Sequence, residues 1–373
     1  MSRKAHNPRW PHSPAAHHEL ALDFAGQKRW DEAIAAFREA IRLDPHYVDA
    51  HYDLARTLTD AERLEEAAEA YRSVLEIVPQ FAEAHQELGL VLGQLGKLTE
   101  AIDSHREAIR LKPTDGMAHY NLGNALVALG RYEESLEPFR QAVLLQPSFG
   151  PAHGNLGAAF GQLGRWEDAA YWHREAIRLN PQDATAYSNL GVALTEMGQL
   201  AEADDALREA LRLRPDDVEA LLRHGWVLAE RRKYEEAAEV FRRVIRIEAD
   251  NAAAHARLGG TLSLLGQHQE AIEACQKAVS LAPEDPDTHY NLGVALSNAR
   301  HHEEAITAFG QALRLRPEWV HPHLGMAEDL SVLDRHVEAV AAFERALKLD
   351  SRCLDDPEER AIYEASVRKT RQH

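Results

Sequence analysis

The chain has 373 residues, 45% hydrophobic, 7% aromatic and 27% charged, and its 60 acidic against 42 basic side chains give a formal charge of −18. That acidity argues against nucleic acid as a partner, because affinity for phosphate backbones comes from Lys and Arg displacing counterions. Two cysteines, Cys275 and Cys353, are too few for a disulfide framework or a Cys-based zinc cluster and suit a reducing compartment.

The first thirteen residues carry Arg3, Lys4 and Arg9 without an acid and read as a flexible basic arm. They hold no run of 7–15 apolar residues, so no secretory signal is expected, and no window approaches 18 continuous apolar residues. The expectation is a cytoplasmic protein without membrane insertion.

From residue 14 the chain repeats. Prolines stand at Pro45, Pro79, Pro113, Pro147, Pro181, Pro215, Pro283 and Pro317, in register at 34 residues, with Ala249 and Ser351 at the missing places. Ten units follow without insertion or deletion: 14–47, 48–81, 82–115, 116–149, 150–183, 184–217, 218–251, 252–285, 286–319 and 320–353. Leu recurs at position seven of most units, followed by Ala or Gly, and marks a first helix. Ala33, Ala67, Ala101, Ala169 and their equivalents at position twenty mark a second. Small residues at these places let two helix axes approach toward the short end of the usual ~8–10 Å range. Phe37, Tyr71, Phe139, Phe241, Phe309 and Phe343 at position twenty-four fill the remaining space. Gly96, Gly130, Gly164, Gly198 and Gly266 sit where the first helix must turn back, and the unit-ending proline stops the second. Pro138 falls inside a second helix and is expected to kink it.

Segments such as AHYNLGNALVALGRYEESLEPF and AYSNLGVALTEMGQLAEADDAL resemble the tetratricopeptide repeat, and the resemblance covers residues 14–353. It implies an all-α fold, a right-handed alpha-alpha superhelix with the first helix of each unit on the concave face. One unit cannot bury its apolar stripe alone, so the expected solenoid is held by neighbour on neighbour. Residues 354–373 read as a C-terminal capping helix. Asp356 would cap it, Pro357 begin it, and Ala361, Ile362, Ala365 and Val367 cover the last unit.

Thirteen residues before the units and twenty after leave no room for a catalytic domain, and no nucleophile-base arrangement can be assembled, so no catalytic residue, cofactor or metal is expected. Histidines recur at position four, among them His51, His85, His119, His153, His255, His289 and His323. Equivalent residues of successive units lie on the order of 10 Å apart, too far to share a zinc ion. They are expected to replace an aromatic residue packed at the edge of the helix pair.

The resemblance further implies that positions 2, 5, 6, 9, 12 and 13 face the groove. Position six then gives Asn121, Asn155, Asn189, Arg223, Arg257 and Asn291. An Asn side chain can bond both groups of an extended peptide backbone whatever that peptide's side chains. The pattern is similar to the asparagine ladder in the tetratricopeptide superhelix of O-linked N-acetylglucosamine transferase, broken here at Arg223 and Arg257. A bland alternative is that these polar groups only keep a concave surface wet. Asn124 and Asn155 match two positions of the carboxylate clamp for chaperone tails, but Tyr120 stands where its first Lys belongs.

Asp49, Asp53, Asp60, Glu83 and Glu87 make one end of the groove acidic, so a ligand could be oriented by charge, unless the pattern is merely solvated. The unit at 218–251 departs most, with His224 for Leu and Trp226 on the groove side. It is either an irregularity or an anchor, since Trp and Arg are enriched at hot spots.

These residues point to a non-catalytic scaffold or adaptor that binds an extended peptide through Asn121, Asn124, Asn155, Asn189, Arg223, Trp226, Arg257, Tyr290 and Asn291. An alternative is a regulatory or substrate-recruiting subunit of a separate enzyme such as a glycosyltransferase. Self-association through the solenoid ends is a third reading.

Overall fold

The computed structural model describes residues 13–371. The basic arm expected at the N-terminus, Ser13 excepted, and the last two residues of the expected capping helix lie outside them. The chain divides into two compact units, one ending at Gln182 and one beginning at Asp183.

The first unit contains α1 (Pro14–Gly26), α2 (Trp30–Leu43), α3 (Val48–Asp60), α4 (Leu64–Ile77), α5 (Ala82–Gln94), α6 (Leu98–Leu111), α7 (Gly116–Ala128), α8 (Tyr132–Leu145), α9 (Gly150–Gln162) and α10 (Trp166–Leu179). The second contains α11 (Ala184–Glu196), α12 (Leu200–Leu213), α13 (Val218–Glu230), α14 (Tyr234–Ile247), α15 (Ala252–Leu264), α16 (His268–Leu281), α17 (Pro286–Asn298), α18 (His302–Leu315), α19 (Val320–Val332), α20 (His336–Leu349) and α21 (Pro357–Thr370). Among the described residues there is no strand, and the fold is all-α. Within each unit a helix packs on the next, and odd-numbered helices also approach one another, as α1 does α3 and α15 does α17.

Local chemistry sets the helix ends. Asp115, Asp183, Asp217, Asn251 and Asp285 each accept a backbone N–H at the start of an odd-numbered helix, satisfying donors that have no intrahelical partner. The even-numbered helices lack such a side-chain cap but often begin on acids, as with Asp31 and Glu32 in α2, which suit the positive end of the helix dipole. Between α1 and α2, and at every equivalent turn, one residue takes a left-handed φ. Five are glycines with φ of 70–75°, and five are Lys28, Glu62, Arg232, Arg300 and Asp334 at 57–63°. Pro138 is carried inside α8, which continues to Leu145.

The core is a column of alanines with one large group per helix pair. Ala33, Ala67, Ala101, Ala203, Ala237, Ala271, Ala305 and Ala339 are wholly buried, as are Phe37, Tyr71, Phe139 and Phe343. The fit is tight at Gly123, where an added Cβ would stand 2.5 Å from the Phe139 ring. Where the large residue is replaced, the slot holds Leu207, Cys275, His105 or His173, all buried.

Outer faces carry ion pairs between successive even-numbered helices: Arg38 to Glu66 at 2.7 Å and Arg72 to Glu100 at 2.8 Å in the first unit, Arg242 to Glu270 at 3.3 Å in the second. Exposed pairs of this kind contribute about 0–1 kcal/mol each, so burial of the Ala, Leu and Phe column dominates stability.

Two expectations are corrected. Most of the recurrent histidines do not stand in for packed aromatics, whereas His153, buried 5.7 Å from the Trp172 ring, does. His51, His85, His119 and His289 place Nε2 at 2.8–3.0 Å from the carbonyl oxygen of Pro45, Pro79, Pro113 and Pro283, and His255 does the same to Ala249, tying each odd-numbered helix to the turn before it. A six-residue reach to an unpaired carbonyl favours the ring's polar edge over its apolar face. On α21, Ala361 is exposed, whereas Ile362 and Tyr363 pack against the last cluster and Ser366 is buried, bonding Ser331 at 3.0 Å. The covering face is thus set partly by a serine pair, which an apolar pattern does not reveal.

Candidate functional site

In the first unit the sequence places Asp49, Asp53 and Asp60 on α3, Glu83 and Glu87 on α5, Asn121 and Asn124 on α7, and Asn155 on α9. Asn155 donates its side-chain amide to Asn124 Oδ1 at 2.7 Å and to the Tyr120 hydroxyl at 3.2 Å. Tyr120 is held by its ring, 5.0 Å from Phe149 and 6.0 Å from Phe139. This arrangement leaves the acceptor Asn155 Oδ1 and the donor Asn124 Nδ2 without partners among the described residues. Asn121 is almost covered, with 8% of its surface exposed, and so offers less to a ligand than its position suggests.

The acidic residues are only partly free. Asp53 accepts from His18 Nε2 at 2.8 Å and lies 3.8 Å from Arg56, while Glu83 meets Lys112 at 3.3 Å. Burial, with Asp60 nearby, pushes the Glu87 carboxyl up, and Arg56 opposes that shift. Asp49 makes no ion pair among the described residues.

In the second unit Asn189 stands on α11, Arg223 and Trp226 on α13, Arg257 on α15, and Tyr290 and Asn291 on α17. The structure brings Arg223, Trp226 and Arg257 together in one cavity of about 400 Å³. Val192 and Leu222 supply its apolar wall, and Thr195, Glu196 and Glu219 its polar rim. All eight residues occupy positions 2, 5, 6, 9, 12 or 13, the set that the resemblance assigns to the groove. Trp226 remains 37% exposed. Arg223 donates to Glu219 at 2.5 Å, whereas Arg257 engages no carboxylate among the described residues. Surrounding protein and the neighbouring Arg223 push the Arg257 guanidinium down from its usual value. Asn189, Tyr290 and Asn291 lie outside this cavity. Tyr290 packs 4.7 Å from the Trp319 ring and its hydroxyl is pushed up by burial and by Glu328.

Two features escaped the sequence reading. Asp204 is buried and accepts from His224 Nε2 at 2.8 Å and Arg208 Nε at 2.8 Å, with Arg231 on its other oxygen. His224 in place of Leu is therefore half of a compensated polar substitution, and Asp204 at a position otherwise Ala, Leu, Ile or Val was its signal. Near the C-terminus, Glu328 is pushed up to about 7 by burial and by the carboxylates of Glu359, Asp329, Asp356 and Glu358. Glu328 and Glu359 are thirty-one residues apart, the step that separates Asn124 from Asn155, so a second acidic end was legible in the spacing. Among the described residues no group of three or more His, Cys, Asp or Glu could hold a metal ion, and no helix is long and apolar enough to cross a membrane.

Stacked helix pairs of this size and register define a tetratricopeptide repeat protein, and two family models described as Tetratricopeptide repeat and TPR repeat match residues 24–89 and 94–130. The chain belongs to the family described as Cilia and flagella-associated protein 70 C-terminal domain, whose model matches residues 118–329, more than half its length. No curated protein matches it. Among solved structures, YrrB, described as a TPR protein with an unusual peptide-binding site, is 26% identical, with 50% of this chain and 96% of that one covered and a TM-score of 0.46. MamA from Desulfovibrio magneticus RS-1 is 28% identical over 46% of this chain and 97% of that one, with a TM-score of 0.41. Yeast Tom70 is 12% identical over 96% of both chains, with a TM-score of 0.45.

Proposed function

We propose that the protein is a non-catalytic scaffold of ten repeat units and a capping helix, and that its concave groove binds an extended or disordered segment of another protein. The observation that carries this is the Asn124–Asn155 pair. The two amides meet through one N–H, and what remains is the Asn155 carbonyl oxygen as acceptor and the Asn124 amide nitrogen as donor, the two kinds of group that a peptide unit requires. Tyr120 fixes Asn155 before a ligand arrives, which lowers the ordering cost of binding. Asn189 and Asn291 would extend such backbone recognition in the second unit, in the manner of the asparagine ladder of O-linked N-acetylglucosamine transferase. The carboxylates of Asp49, Asp53, Asp60, Glu83 and Glu87 would favour basic residues at one end of the ligand.

The test is site-specific photo-crosslinking on the intact protein. A crosslinker at position 124 should capture a partner and map to an extended segment, while one at Leu144, which is 70% exposed on α8 of the same unit, should not. Equal capture at position 144 would contradict a groove.

A further inference from the structure

We propose that the pocket formed by Trp226 and Arg257 is an anchor for a single carboxylate that sits next to an apolar side chain, the carboxylate on Arg257 and the apolar group on Trp226. The inference rests on the groove reading above and gives that groove a chemical preference.

Among the described residues Arg257 lacks the carboxylate that most arginines near it hold. Arg223 is taken by Glu219, Arg208 and Arg231 by Asp204, Arg214 by Asp217, and Arg243 by Asp216. Its side chain is exposed to the groove, where partial burial and the like charge of Arg223 both push the guanidinium down, and an incoming carboxylate would offset the repulsion from Arg223. Arg presents a planar fork that meets a carboxylate through two N–H groups, which makes such a contact strong and directional.

Trp226 supplies the second half. A tryptophan left 37% exposed on a concave wall, with Val192 and Leu222 beside it, is apolar surface that water covers poorly. Trp226 and Arg257 are separated by the same thirty-one residues as Asn124 and Asn155, whose side chains meet at 2.7 Å. The two anchors are therefore adjacent and suit neighbouring residues of one strand. Glu196 on the rim limits the charge accepted, because a second ligand carboxylate would face it. One acid is favoured and an acidic tract is not.

The carboxylate could belong to an Asp or Glu side chain or to a chain terminus. A random twelve-residue linear peptide library panned on the full chain supplies the probes. Each enriched peptide is then titrated by fluorescence anisotropy as selected, with Asp or Glu changed to Asn or Gln, and with an amidated C-terminus. We expect enriched peptides to pair one acid with an adjacent aliphatic or aromatic residue. Arg257→Gln should weaken them about tenfold or more, Arg257→Lys less, and Trp226→Ala should weaken them comparably with helicity unchanged. Removing the responsible carboxylate should cost as much as Arg257→Gln, with little added loss when the two are combined, and the arm that loses affinity names its source. Peptides that bind Arg257→Gln and Trp226→Ala as tightly as wild type, yet weaken with Asn124→Ala/Asn155→Ala, overturn the anchor and leave the groove standing. Peptides indifferent to every variant, or no enrichment at all, overturn both.

Discussion

Asn155 reaches Asn124 at 2.7 Å across thirty-one residues of sequence, and that step also joins Val192 to Arg223 and Trp226 to Arg257 along one pocket wall. Position nine of one unit and position six of the next thus form a recurring two-residue module, and its chemistry changes along the chain. Amides occupy it in the first unit, an aromatic–arginine pair in the second, and two glutamates, Glu328 and Glu359, at the end.

Asn155→Ala removes the donor to both Tyr120 and Asn124. Neither partner is fully buried and water can replace the amide, so the cost should stay near ~1 kcal/mol, read as a shift in urea midpoint without a change in slope. A loss above ~3 kcal/mol would mean that the pair is a structural element of the core.

The five non-glycine residues at left-handed turns store strain. An L side chain in that region costs about 1–2 kcal/mol, so Glu62→Gly should stabilise the protein by several tenths to about 1 kcal/mol, less the greater freedom glycine gives the unfolded chain. Gly130→Ala, at a φ of 75°, should destabilise it. Thermal melting of the two variants checks both signs.

Much of this was legible in advance. The 34-residue register of prolines and alanines announces the helix pairs because each unit must present the same small and large residues to its neighbours. Position lists also announced the Arg223, Trp226 and Arg257 cluster. What could not be read were substitutions compensated elsewhere. His224 was visible as an oddity, but its partner Asp204 lies twenty residues earlier on another helix, and only packing joins them. Likewise His51, His85, His119, His255 and His289 bond a carbonyl six residues back, and a carbonyl leaves no mark in sequence. Asn121 shares its position with Asn155 but is covered, since local packing decides exposure that periodicity treats as equal.

Asp204 should be a sensitive point. Although burial opposes it, His224 and the guanidinium groups of Arg208 and Arg231 hold its carboxyl below the usual range. Asp204→Ala strands a histidine and an arginine and should cost roughly 3–5 kcal/mol. Pairing it with His224→Leu restores the apolar residues other units carry at both places and should recover most of that loss. A double variant no better than Asp204→Ala would show that the network does not act as one.

Two buried groups should act on stability in opposite senses between about pH 4 and 7. His105 is buried beside Gly89 with Nδ1 unpartnered, and burial pushes it down to about 4 from an ordinary 6.5. The unfolded chain therefore takes up this proton first, and stability drops as pH falls from about 6.5 toward 4, by up to about 3 kcal/mol. Glu328, pushed up to about 7, acts in the opposite sense: the folded state holds its proton longer, and stability drops as pH rises from about 4.5 through 7. His105→Phe should remove the loss between about pH 6.5 and 4, and Glu328→Gln the loss between about 4.5 and 7, each read from urea midpoints measured against pH.

The central claim, that the concave face grips an extended peptide by its backbone, meets its most direct test in one affinity comparison. A segment captured by wild type is titrated against the double variant Asn124→Ala, Asn155→Ala, with circular dichroism confirming that both are helical. The account predicts at least about a tenfold loss that is the same for peptides of different side chains. Undiminished affinity in a folded double variant would contradict it.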